Sequence, residues 1–70
     1  MNKYYITVAQ SQPHGPGYFT VNAEDENKAR QLTFKALGDR WCSSYLEFAD
    51  VHPLDRIYRG NINKDFPGEL

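Results

Sequence analysis

The chain has a single cysteine, Cys42, so no internal disulfide can form. The expected setting is a reducing one, the cytoplasm of a host cell, rather than that of a stapled secreted scaffold. Long hydrophobic runs are missing as well: no stretch of about 18 apolar residues occurs, the length a membrane helix needs. Met1-Asn2-Lys3-Tyr4-Tyr5 passes straight into an alternating pattern without the apolar core of a signal peptide. A chain that neither spans nor crosses a membrane is expected. Charge of one sign is also lacking, because eight basic and nine acidic residues leave a formal net charge of -1. That balance omits the basic footprint of a dedicated nucleic-acid binder and makes a protein partner the first expectation.

Signatures of chemistry are equally scarce. Cys42, His14 and His52 are the residue types of a nucleophile and base, yet no glycine-framed elbow surrounds the thiol and no third orienting group is signalled. Zinc would need a fourth ligand and a near neighbour at ligand spacing, and neither is present. Gly15-Pro16-Gly17 cannot cradle a phosphate, since Pro16 lacks the amide such a loop uses. It reads as a turn. No catalytic, cofactor-binding or metal-binding residue is assigned, no enzyme activity is expected, and Cys42 is expected to be a small buried residue.

What the sequence does contain is one sharply punctuated helix. Asp25 stands at the N-cap position between Glu24 and Glu26, Gly38 follows Leu37 as a left-handed stop, and Ala29, Leu32, Thr33, Ala36 and Leu37 recur on one face. Strand-like alternation over Lys3–Ala9 puts Tyr4, Ile6 and Val8 inward, and over Tyr18–Ala23 it puts Phe19, Val21 and Ala23 inward. The loop between them, rich in proline and glycine, makes a long hairpin. Trp41, Cys42, Tyr45, Leu46, Phe48 and Ala49 fit a helical face about as well as a strand. A third strand from Arg40 to Tyr45 or Leu46 is favoured because a hairpin under one helix is marginal in water. Ile57-Tyr58-Arg59 is a candidate fourth strand at the edge. The predicted fold is therefore α+β, in the order β-β-α-β, with an antiparallel sheet of three or four strands under one helix. Residues 1–60 form the single domain and 61–70 a polar tail.

Candidate partner-binding residues come from two regions and a third stretch. Tyr5 and Tyr18 share the outward parity of neighbouring strands, with Thr7 and Thr20 extending that face. With one helix covering the sheet, this face is expected to meet water. The tyrosines are read first as a cross-strand contact, next as a protein interface, and last as a platform for single-stranded bases. Glu24, Asp25 and Glu26 are read first as helix caps and then as an acidic corner for a basic partner surface. Asp50, Asp55 and Arg56 belong to the stretch Asp50-Val51-His52-Pro53-Leu54-Asp55-Arg56. It is read as a folded-back loop with Val51 and Leu54 plugging the core edge and Asp55 paired to Arg56 or Arg59, and secondarily as a binding segment. Phe34, about 140° around the helix from Ala29, is expected to pack under the second half of the chain.

The succession Tyr4-Tyr5-Ile6-Thr7-Val8, a turn, Tyr18 to Asp25, a helix closed by Leu37-Gly38 and an aromatic strand resembles small phage-encoded anti-CRISPR proteins that act on type I surveillance complexes. It is also similar in layout to the small T7-type phage inhibitor of host RNA polymerase. The likeness runs from Lys3 to Tyr45, and no functional residue carries over. It implies a non-enzymatic inhibitor that sits on a host or defence nucleoprotein, a CRISPR surveillance complex or an RNA polymerase, and excludes DNA or a nuclease. The competing class is a small regulatory or structural subunit whose sheet edge completes a homodimer, with a single-stranded nucleic-acid binder behind it.

Overall fold

A computed structural model describes residues 2–12 and 15–65. Strands β1 (Asn2–Val8) and β2 (Gly17–Ala23) form the antiparallel hairpin, with Tyr4 opposite Val21 and Ile6 opposite Phe19. Helix α1 (Glu26–Leu37) lies on one face. Its start is fixed by the Asp25 carboxylate, which accepts the Lys28 amide at 2.8 Å, a cap worth about 1 kcal/mol. Its end is Gly38, whose φ of 67° is the reason for glycine, because a Cβ there would meet nothing within 4 Å. The core is where the two periodicities meet: Tyr4, Ile6, Val8, Phe19, Val21 and Ala23 from the hairpin, under Ala29, Thr33 and Leu37 from the helix. The buried Thr33 hydroxyl is satisfied by donating to the Ala29 carbonyl. Among the described residues no helix is long and apolar enough to cross a membrane.

The second half departs from an all-antiparallel sheet. Strand β3 is only Ser43–Tyr45 and pairs antiparallel with β1, while β4 (Tyr58–Asn61) pairs parallel with β2, giving a mixed sheet in the order β3-β1-β2-β4. Because β3 and β4 both run parallel to β2 and sit on opposite edges, the chain between them, residues 46–57, has to cross the sheet. Parallel connections need roughly a dozen or more residues for this reason. The crossover is built from two single 3-10 turns, Phe48–Asp50 and Pro53–Asp55. It covers the face that was expected to meet water, so Thr7 and Thr20 are buried and Tyr5 and Tyr18 are half-buried. Gly17 is where its far end returns: a Cβ there would stand 2.6 Å from the Ile57 carbonyl oxygen.

The expected tail also begins differently. Asn61 completes β4, and Ile62 opens a short helix α2 (Ile62–Asp65) with its side chain fully buried in the core. Residues 66–70 lie outside the described residues. Phe34 does not pack under the second half of the chain. It is 60 % exposed: the crossover lies on the other face of the sheet, and none of the described residues covers that side of α1.

Candidate functional site

The crossover and the sheet beneath it make an aromatic platform. Tyr5 and Tyr18 stand diagonally across β1 and β2 with ring centroids 5.9 Å apart, and Phe48 sits on both, at 5.7 and 5.5 Å. Tyr58, opposite Tyr18 in the β2–β4 register, adds a ring at 5.6 Å. All four contacts are tilted or edge-on, the arrangement the ring quadrupoles favour, worth about 0.5–1.5 kcal/mol per pair beyond burial.

Arg56 locks this layer. Its guanidinium carbon lies 4.9 Å from the Phe48 ring centroid, its Nε donates to the Val51 carbonyl at 2.9 Å, and a terminal nitrogen donates to the Ala49 carbonyl at 3.2 Å. Arg59 forks onto the Pro16 carbonyl at 2.9 and 2.7 Å. Neither arginine takes the expected partner, Asp55. Main-chain carbonyls at the turn ends offer planar acceptors that a guanidinium fork satisfies geometrically.

Of the two residues expected to plug the core edge, Val51 is buried, at 1 % exposure, but Leu54 is not and is 74 % exposed. The 3-10 turn it occupies is capped by His52, whose Nδ1 accepts the Leu54 amide at 3.2 Å and turns residues 53–55 outward. With Leu46, Phe48, Ile57 and Tyr58, Leu54 makes this short segment the source of nearly all the large apolar side chains left exposed among the described residues. Beside it, Ala9, Gln10, Pro16, His52, Leu54 and Asp55 line a cleft of about 400 Å³.

Of the residues singled out from sequence, Tyr5, Tyr18 and Arg56 meet in the platform, and Asp50 and Asp55 lie on the crossover's two turns. Glu24, Asp25 and Glu26 do not join them. They sit beyond the far end of β2, five residues or roughly 17 Å along the strand from Tyr18. There Asp25 caps α1 and Glu26 pairs with Arg30 at 3.5 Å. Phe48 and Tyr58 are the members sequence reasoning missed. The edge strand Ile57-Tyr58-Arg59 held the signal, since pairing it with β2 sets Tyr58 beside Tyr18.

Cys42 is exposed rather than buried, because its amide is drawn to the Thr7 carbonyl at the sheet edge while the thiol faces Gln12 Oε1 at 3.3 Å. His14 lies outside the described residues. Among those described, no group of three or more His, Cys, Asp or Glu is placed to hold a metal ion. No family model, curated protein or solved structure matches the chain.

Proposed function

We propose that this is a non-enzymatic binding protein whose crossover face docks onto a protein partner in the cytoplasm of a host cell. The observation that carries the reading is the pairing of exposed apolar side chains, Leu54, Ile57 and Tyr58 among them, with a rigid aromatic layer beneath. Such a surface offers large contact area with little ordering cost, and contiguous apolar exposure on a small domain marks an interaction site. The partner class the sequence resemblance implies is a host or defence nucleoprotein, a CRISPR surveillance complex or an RNA polymerase, blocked by occupancy.

Single-stranded nucleic acid is the second reading, favoured by the stacked rings. Charge argues against it. Arg56 and Arg59 are both spent on main-chain carbonyls, and Glu47, Asp50 and Asp55 outnumber them on the same segment.

Affinity capture from host lysate with the intact protein and with Tyr58→Ala as paired baits identifies the partner and tests the face together. A specific partner retained by the parent and weakened about tenfold or more by Tyr58→Ala supports docking through the crossover, since a central aromatic anchor is worth that much. A partner held equally by both baits places the interface elsewhere. Micromolar binding of an oligothymidylate, lost in Tyr58→Ala, replaces the proposal with the nucleic-acid reading.

A further inference from the structure

We infer that the cleft beside the crossover receives a lysine or arginine side chain of the protein partner. The inference rests on the docking reading above and names the chemistry that reading leaves open. The cleft, at about 400 Å³, falls in the size range of small-ligand sites, and its surface divides by chemistry. Ala9, Pro16 and Leu54 offer apolar walls for a methylene stem, while Asp55 and Gln10 bring oxygen acceptors for a charged head.

Asp55 decides the sign. The residue is half-buried, and among the described residues its carboxylate has no ion pair although two arginines follow within four positions. Arg56 is turned to the carbonyls of Ala49 and Val51 and to the Phe48 ring, and Arg59 is forked on Pro16. His52 is turned to its own loop, its Nδ1 accepting the Leu54 amide at 3.2 Å. An incoming apolar side chain would strip water from Asp55 without repayment, and an acidic one would be repelled. A basic side chain satisfies stem and head together.

The test uses the full chain and three probes: the N-acetyl methylamides of lysine, of norleucine and of glutamate, titrated to tens of millimolar while backbone amide resonances are followed. Saturating shifts at Ala9, Gln10, Leu54 and Asp55 are expected with the lysine probe, at least about threefold tighter than with norleucine, the scale of a partly exposed ion pair. Asp55→Asn, its remaining spectrum unchanged, should bring lysine down to norleucine. Equal binding of lysine and norleucine, or no saturation by lysine, overturns the basic-occupant inference. The docking reading is judged separately, by Tyr58→Ala and the captured partner, so either can fall alone.

Discussion

The side-chain amide of Asn63 is bound to both main-chain groups of Asn22: its Oδ1 accepts the Asn22 amide at 2.6 Å and its Nδ2 donates to the Asn22 carbonyl at 3.1 Å. This is what a neighbouring strand would do. Strand β4 stops pairing at Thr20, opposite Asn61, so the last part of β2 would otherwise present an open edge. Asn61 works in the same direction, donating from Nδ2 to the Thr20 hydroxyl at 2.9 Å and accepting the Lys64 amide on Oδ1 at 3.0 Å. Residues 61–65 are thereby fixed to β2 with Ile62 beneath them in the core.

Removing that clamp should therefore cost folding stability. Asn63→Ala is expected to lower the unfolding free energy by about 1–2 kcal/mol, two hydrogen bonds lost at a partly solvated site. Lys64→Ala, whose side chain is exposed, should change it by less than about 0.5 kcal/mol. Urea denaturation of the three proteins checks this, and coincident midpoints for Asn63→Ala and the parent would refute the clamp.

Arg56 carries a second expectation. Because it joins the Val51 and Ala49 carbonyls and the Phe48 ring in one contact set, Arg56→Ala should loosen Phe48 from the tyrosines and cost about 1–2 kcal/mol. Arg56→Lys should recover only part of this, since a single ammonium nitrogen lacks the planar, spread donors that reach both carbonyls while the guanidinium lies over Phe48. Ring-current shifts of the Tyr5 and Tyr18 protons, read with the urea midpoint, report the loss. An unchanged aromatic spectrum in Arg56→Ala would show that Phe48 holds its place without the arginine.

The hairpin and the main helix were legible because each element repeats its own period and carries its own punctuation. Alternation placed Tyr4, Ile6, Val8, Phe19, Val21 and Ala23 inward, and Asp25 and Gly38 bounded the helix. Strand β3 has three residues, too few to alternate, and only the need to complete a sheet pointed to it. The direction of β4 was hidden for a different reason: parallel or antiparallel pairing is decided by where the crossover lands, and Ile57-Tyr58-Arg59 reads alike either way. Ile62, a lone apolar residue between two asparagines, has no periodicity at all, so its burial is visible only in three dimensions.

The candidate site was half legible for the same reasons. Parity put Tyr5 and Tyr18 on one face, but whether that face met water depended on the crossover, which sequence spacing does not route. Phe34 and Leu54 were expected inside because large apolar residues usually find cover. The cover for Phe34 went to the opposite face, and Leu54 was carried outward by a turn that Pro53 begins and His52 caps.

The platform and the acidic corner should accordingly separate in binding. Glu24 and Glu26 stand past the end of β2, which is itself roughly 17 Å along the strand from Tyr18, about twice the Debye length at physiological salt. A partner seated on the crossover should scarcely sense them there. Reversing both, Glu24→Lys with Glu26→Lys, leaves the Asp25 cap intact, and association and dissociation of the captured partner should stay within about twofold at physiological ionic strength. Tyr58→Ala should instead speed dissociation about tenfold or more, as loss of a buried anchor does. Tyr5→Ala and Tyr18→Ala act one layer lower: both rings are half-buried under Phe48, so their first effect should be a loss of stability of about 1–3 kcal/mol. Surface plasmon resonance at two salt concentrations, with urea midpoints for each variant, separates these outcomes. If the charge reversal slows association severalfold at physiological salt while Tyr58→Ala binds like the parent, the partner engages the helix corner and the crossover face is not its seat.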